Sequence, residues 1–279
     1  MTLETQFNNK INNIKNNNPL YIRNLLKEVL QDFTLNYIYN SDYNNLIFTG
    51  GTCLRKVYGL NRLSEDLDFD YIDNLNISEF ANDISVYFRT NFNINPQTKI
   101  SVNNKTVFIK FSLSDYENII KDNITSKVLF LRCDFSEENK GGYSIETNSI
   151  NTQNFSFFVR NYDLPTLFAN KIIAFLERTF YKGEAQELPF KGRDVYDLFW
   201  LINLSASNGF RIKPNKERLN YRTQLDNISS EIKDKINKID PKFIYEDLYP
   251  LIESESYLNQ FKDNYSSYII NKIDLVLSE

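Results

Sequence analysis

The sequence predicts an α/β fold of the α+β kind, with a mixed sheet and its helices in an N-terminal lobe and helices alone in a C-terminal lobe. Up to about residue 160, short apolar or alternating runs typical of strands occur between segments with helical spacing. Beyond that point only helical spacing continues. We therefore predict two domains, residues 1–160 and 161–279.

Composition narrows the chemistry available to the chain. Its 279 residues carry a net charge of −4, so a contact with nucleic acid would need a local basic patch. The sequence contains no His, which excludes His-based triads, His general bases and His-ligated zinc. The two Cys form no metal-binding pattern and are interpreted as small buried hydrophobes. Catalysis must therefore use carboxylates, Lys, Arg, Ser, Thr or Tyr.

The N-terminal segment is polar and lacks the apolar core of a signal peptide. No stretch approaches the ~20 apolar residues that a membrane-spanning helix needs. We expect a cytoplasmic protein with no membrane partner. Residues 7–18, which are mostly Asn, Lys and Ile, are predicted to be a loose leader or a fraying helix start.

Periodicity predicts the remaining elements. In the first domain the predicted helices cover 19–39, 52–58 and 77–92, and the predicted strands cover 46–48, 66–71, 99–102, 106–113, 127–135, 143–145 and 155–159. In the second domain the predicted helices cover 164–180, 193–207, 215–238, 242–253 and 256–277.

A glycine turn follows the first predicted strand, in the run Phe48-Thr49-Gly50-Gly51-Thr52. Two glycines at a strand end allow a ligand to approach the backbone closely. The N–H groups and the dipole of the helix that follows favour an anion such as a nucleotide phosphate. The alternative is an ordinary turn between a strand and a helix.

The next predicted strand carries Asp66 and Asp68, with Leu67 between them. Side chains two residues apart on a strand share a face, so both carboxylates point the same way. Their mutual repulsion is best relieved by a shared cation, and oxygen ligands favour Mg²⁺ or Mn²⁺. The alternative is an acidic edge strand that faces solvent.

Two charged residues lie on the apolar faces of the later helices. Lys171 interrupts the apolar stripe of helix 164–180, where it needs either a carboxylate or a phosphate as partner. Asp194 lies in the first turn of the next helix, in line with Leu198. The alternatives are a Lys that extends to the surface and an Asp that only caps its helix.

A short basic segment lies beyond the Asp194 helix, and its members are Arg211, Lys213, Lys216, Arg218 and Arg222. Such a patch could hold an RNA backbone on an otherwise acidic protein. A solvated helix face is the alternative.

Together these motifs resemble the AbiEii/AbiGii toxin family, nucleotidyltransferases related to the DNA polymerase β superfamily. The resemblance is carried by Gly50-Gly51-Thr52, by Arg62-x-Ser64-x-Asp66-x-Asp68 and by the later segments KIIAFLERT and KGRDVYDLFWL. Thr52 stands where the family usually has Ser, and Asp70 is additional to the two-carboxylate pattern.

The resemblance implies roles for particular residues. Asp66 and Asp68 would bind the metal, Mg²⁺ or Mn²⁺, and Asp134 would be the third carboxylate that activates the attacking hydroxyl. A turn-capping role is the alternative for Asp134. Lys171 would contact nucleotide phosphates and Asp194 would complete the site from across a cleft. The residues implied in nucleotide binding are Gly50, Gly51, Thr52, Arg55, Ser64 and Lys171.

The resemblance further implies transfer of a nucleoside monophosphate from an NTP to an acceptor, such as the 3′ end of a tRNA. It also implies a toxin of a toxin–antitoxin or phage-defence system, with a cognate antitoxin encoded nearby. Two alternatives stay open at this point. One is a transferase of the same fold that modifies a protein hydroxyl or a small molecule, and the other is a non-catalytic nucleotide-binding module.

Overall fold

The computed structural model describes residues 2–14, 18–116, 126–178, 180–182, 186–188, 190–222 and 227–278. Its helices are α1 Leu3–Asn12, α2 Pro19–Tyr39, α3 Gly50–Tyr58, α4 Ile77–Phe92, α5 Leu164–Glu177, α6 Gly192–Ser207, α7 Lys216–Arg222, α8 Ile228–Asn237, α9 Pro241–Leu248 and α10 Glu255–Leu277. A 3₁₀ turn covers Ser114–Tyr116. Its strands are β1 Ile47–Thr49, β2 Asp66–Tyr71, β3 Gln97–Ile100, β4 Thr106–Ser112, β5 Val128–Glu137, β6 Ile145–Asn151, β7 Ser156–Tyr162, β8 Phe180–Lys182 and β9 Gln186–Leu188.

The chain divides into two compact units. The first contains residues 1–139 and 145–161, and the second contains residues 140–144 and 162–279. Within the described residues, no helix combines the length and the apolar character that crossing a membrane requires.

A mixed sheet forms the centre of the first unit, with the strand order β3-β4-β5-β2-β1-β7-β6. β2 is parallel to β5 and antiparallel to β1, so it is an interior strand. The predicted α/β fold class is confirmed.

One face of this sheet is the core of the unit. Phe48, Phe69 and Phe135 stack on neighbouring strands, with ring centroids 5.5 and 5.7 Å apart, and Phe80 of α4 meets Phe135 edge to face at 5.0 Å. Because strand side chains alternate between faces, this core leaves Asp66 and Asp68 on the opposite face.

Residues 7–18 were predicted as a loose leader or a fraying helix start, and their described part instead includes the end of an ordered helix, α1. Thr2 caps α1 by accepting a hydrogen bond from the Thr5 N–H, and Phe7 is fully buried. The local composition is too polar to reveal this helix, because only Leu3, Gln6 and Phe7 of its ten residues are buried. Residues 15–17 lie outside the described part of the chain.

Four charged residues join α1, α2 and α3. Glu28 is buried and forms ion pairs with Lys10 at 3.2 Å, with Lys56 at 3.7 Å and with Arg55. Burial alone would raise the pKa of Glu28, but these cations together hold it well below its usual value. Glu28 thereby fixes the position of α3, the helix that follows the glycine turn.

The second unit is organised by close backbone contacts and buried charges. Asp163 caps α5 by accepting a hydrogen bond from the Thr166 N–H. A Cβ at Gly192 would lie 2.9 Å from the Cα of Ile244, so only glycine lets α6 begin this close to α9. The prediction of one helix over 215–238 is wrong, because Asn227 caps a new helix, α8.

Glu28→Gln should lower the free energy of unfolding at neutral pH by about 3 kcal/mol, since it removes the buried carboxylate that neutralises three neighbouring cations. The folded-state pKa of Glu28 is depressed. Its stabilisation is therefore complete above the unfolded pKa of about 4.3 and is lost as the pH falls below that value. Urea unfolding between pH 3 and pH 7 should show a weaker acid dependence in the variant.

Asp32→Asn is the matched control, because burial raises the pKa of Asp32 despite its ion pair with Lys56. A raised carboxyl pKa means that the charged form gains little from the fold, so this variant should lose less stability. Equal losses in the two variants would contradict the proposed role of Glu28.

Candidate active site

The glycine turn lies directly against the acidic strand. Gly50 has a φ of +78°, and a Cβ at this position would lie 2.1 Å from an Oδ atom of Asp68. Both the left-handed backbone and the missing side chain are therefore required here. α3 begins at Gly50, and the Thr49 side chain does not cap it, so the first turn of the helix lies beside the Asp68 carboxylate.

Asp66 and Asp68 lie on β2 and are half-buried, while Leu67 and Phe69 between and beyond them are buried. Since β5 and β1 flank β2, the alternative of a solvent-facing edge strand is excluded. The two carboxylates share one open face of an interior strand.

Asp134 is in register with Asp68 on the parallel neighbour β5. Its carboxylate accepts a hydrogen bond from the Thr106 hydroxyl at 2.6 Å and pairs with Arg132 at 2.7 Å. β5 continues to Glu137, so Asp134 lies within a strand and does not cap a turn.

Cys133 directly precedes Asp134 on β5, and its side chain lies on the core side of the sheet. Burial raises the pKa of its thiol well above the usual value, and the charges of Asp134, Asp66 and Asp68 add to the increase. The thiol therefore stays protonated and unreactive at neutral pH, as expected for a small buried hydrophobe.

Within the described residues, no three Asp, Glu, Cys or His side chains form a preformed metal cage. The donor set nevertheless fits a hard divalent cation, because Asp66 and Asp68 offer only oxygen atoms. Mg²⁺ is commonly held by one or two carboxylates together with substrate phosphates and water.

Three residues predicted to bind nucleotide already have protein partners. The Thr52 hydroxyl donates to the Asp66 carbonyl, which ties α3 to β2. Arg55 pairs with Glu28 and donates to the carbonyl of Leu60 at 3.2 Å. The backbone carbonyl of Ser64, itself buried, accepts a hydrogen bond from Gln31 at 2.9 Å.

Arg62 was not among the predicted site residues, although it opens the quoted Arg-x-Ser motif. It is buried, and its guanidinium would lie 2.7 Å from a Cβ at Gly51. Gly51 therefore provides the space for Arg62 behind the glycine turn. The position of Arg62 at the start of the Arg-x-Ser motif was the feature of the sequence that could have identified it.

The second unit holds Lys171 and Asp194 in two neighbouring ion pairs. Lys171 meets the fully buried carboxylate of Asp197 at 2.6 Å, and Arg178 meets Asp194 at 2.6 Å without the alignment of a hydrogen bond. The sequence analysis did not single out Asp197, although it lies three residues after Asp194 and therefore on the same side of the helix.

Asp194 is buried among further cations. Burial lowers the pKa of Lys191 and of Lys235, while the charge of Asp194 acts in the opposite direction on both. This corner of the second unit therefore concentrates positive charge around one carboxylate, an environment suited to phosphate groups.

The predicted basic segment is not one continuous patch. Arg218 is fully buried, and it donates to Asn170 at 2.9 Å and to the Gly141 carbonyl at 2.8 Å. Its guanidinium also lies 5.6 Å from the Tyr143 ring centroid. Arg218 therefore holds residues 140–144 in the second unit and does not face solvent. The Arg222 side chain lies outside the described part of the chain.

The family described as "Nucleotidyl transferase AbiEii toxin, Type IV TA system" matches residues 38–242. Among solved structures, the chain is similar to MenT4, the nucleotidyltransferase toxin Rv2826c from Mycobacterium tuberculosis H37Rv, with a TM-score of 0.58 and 13% identity over 99% of this chain and 90% of that one. JHP933 from Helicobacter pylori aligns with a TM-score of 0.49 and 20% identity over 91% of both chains. No curated protein matches the chain. At this identity, the likeness to MenT4 shows the fold.

Gly50→Ala should abolish nucleotidyl transfer and destabilise the protein, because the new Cβ would meet the Asp68 carboxylate at 2.1 Å. Gly59→Ala is the matched control. Gly59 has a φ of +82°, and a Cβ there would meet no atom within 4 Å. The control should carry only the backbone strain, about 1 kcal/mol, and keep its activity. Thermal unfolding and a transfer assay measure both effects, and equal activity in the two variants would contradict the assigned contact.

Proposed function

Because this chain belongs to the AbiEii family of nucleotidyl transferase toxins of type IV toxin–antitoxin systems, we propose that it transfers a nucleoside monophosphate from an NTP to an acceptor hydroxyl. The acceptor oxygen forms a bond to the α-phosphorus, the bond from that phosphorus to the bridging oxygen breaks, and pyrophosphate leaves. The observation that carries the proposal is the pair Asp66 and Asp68 on one open strand face, with the Gly50 backbone against the second carboxylate.

Asp66 and Asp68 would hold Mg²⁺ or Mn²⁺, which would neutralise the negative charge that develops on the phosphates. Asp134 is the proposed acceptor of the hydroxyl proton. Thr106 and Arg132 hold its carboxylate in place, and its register with Asp68 brings it beside the pair. No His is available for this role.

The backbone N–H groups at Gly50 and Gly51 would bind the NTP phosphates, with Lys171 as an additional phosphate ligand. Asp194, surrounded by cations, is proposed to complete the site. Thr52, Arg55 and Ser64 would contribute by holding the glycine turn, since each already binds another part of the protein.

RNA, such as a tRNA 3′ end, is the proposed acceptor, and growth inhibition in a toxin–antitoxin or phage-defence system is the proposed role. A cognate antitoxin would be the protein partner. Modification of a protein hydroxyl or a small molecule is the alternative reaction. Incubation with each labelled NTP and total RNA distinguishes the two, because only an RNA acceptor yields a labelled band that ribonuclease removes.

Asp66→Asn should reduce transfer by at least about a thousandfold, since it removes one of two carboxylates that neutralise the metal. It should also weaken Mn²⁺ binding in the presence of a non-hydrolysable NTP, as measured by titration calorimetry. Asp73→Asn, an exposed position just beyond β2, is the control and should change neither quantity. Normal turnover by folded Asp66→Asn protein would exclude this metal site.

Lys171→Ala should weaken NTP binding and also destabilise the protein, by about 3 kcal/mol, because the buried carboxylate of Asp197 would lose its ion pair with Lys171. Lys171→Ala combined with Asp197→Asn should recover most of the stability but not the NTP affinity. Urea unfolding and NTP titration separate the two effects. Recovery of NTP affinity in the double variant would show that Lys171 serves only the fold.

A further inference from the structure

The sheet face that carries Asp66 and Asp68 extends onto β5, β4 and β3, where aromatic rings alternate with cations. Strand register places Lys99, Phe108, Arg132 and Asp66 side by side across four strands. Lys110 and Phe130 are partners in the next row. We call the following five residues the aromatic–cation face: Lys99, Phe108, Lys110, Phe130 and Arg132.

This face is open. Phe130 is 46% exposed and the Arg132 side chain is also 46% exposed, while Phe108 and Lys110 are half-buried. The residues between them, such as Ile109 and Leu131, are fully buried on the core side. The core therefore does not require these two rings to be aromatic, and both lie within two strands of Asp66.

We propose that the aromatic–cation face binds an unpaired RNA strand and leads its end to the Asp66 and Asp68 carboxylates. This inference rests on the proposed function and assigns the acceptor a surface. Rings that stack on bases and cations that contact the phosphates between them are the usual features of a single-strand binding surface.

Charge and position support this occupant. The chain carries a net charge of −4, yet this face presents three cations. Of these cations, Arg132 pairs with Asp134 and lies in register between Phe108 and Asp66. Adjacent strands are about 4.8 Å apart, so a strand bound on Phe108 reaches the carboxylates within a nucleotide or two. In a duplex the bases stack on one another, so only the terminal pairs expose a face to these rings.

Binding of a fluorescein-labelled 12-nucleotide single-stranded RNA, measured by anisotropy without NTP, tests the rings. Phe108→Leu and Phe130→Leu keep an apolar side chain but remove the ring, and each should weaken binding about tenfold, a typical loss for one base stack. Phe158→Leu is the control, because Phe158 is 70% exposed on β7 of the same sheet and should leave binding unchanged. Thermal unfolding checks that each variant is folded.

The cations have an independent test. Lys99→Gln combined with Lys110→Gln should reduce the slope of log Kd against log salt by about 1.4, or about 0.7 for each lost phosphate contact on a single strand. Lys238→Gln combined with Lys242→Gln, both exposed positions in the second unit, removes the same charge as a control. The same RNA as a blunt duplex should bind more weakly than the single strand.

The outcome separates this inference from the proposed function. The wild-type protein could transfer to RNA while both ring variants and the double Lys variant bind RNA as tightly as the wild type. That result would overturn the proposed binding surface and leave the proposed reaction intact. Loss of RNA binding in these variants, even if no transfer to RNA is ever detected, would support the surface alone. Undetectable binding of the single strand by wild-type protein would also overturn it.

Discussion

The contact between the Gly50 backbone and the Asp68 carboxylate constrains everything around the candidate site. It requires a left-handed backbone at the end of β1 and no side chain at that position. It also requires β2 to present Asp68 towards the start of α3. The helix dipole and the carboxylate pair are thereby held together on one side of the sheet, where a cation and phosphate groups can neutralise each other.

The rest of the first unit holds this contact in position. Thr52 ties α3 to the backbone of β2, and Arg62 fills the space that Gly51 leaves open. On its other side, α3 is held through Arg55 and Lys56 by the buried Glu28. Burying Glu28 beside its cations carries a desolvation penalty. The effect of these ion pairs on the structure is to restrict α3 to one position.

In the second unit, buried charges have the same positioning effect on helices. Asp197 of α6 restrains Lys171, and Arg178, which directly follows α5, restrains Asp194. Arg218 is the contrasting case. The sequence presents it as part of a basic patch, but its contacts with Asn170 and Gly141 make it an internal support.

The sequence by itself determined most of the periodic elements, the glycine turn and the face that Asp66 and Asp68 share, because these follow from spacing along one strand or helix. It could not reveal α1, because this helix is mostly polar and buries only Leu3, Gln6 and Phe7. Only the tertiary structure decided which charges are partners. Ion pairs such as that of Glu28 with Arg55 join residues far apart in the chain, and their burial depends on helices that pack together only in the folded protein.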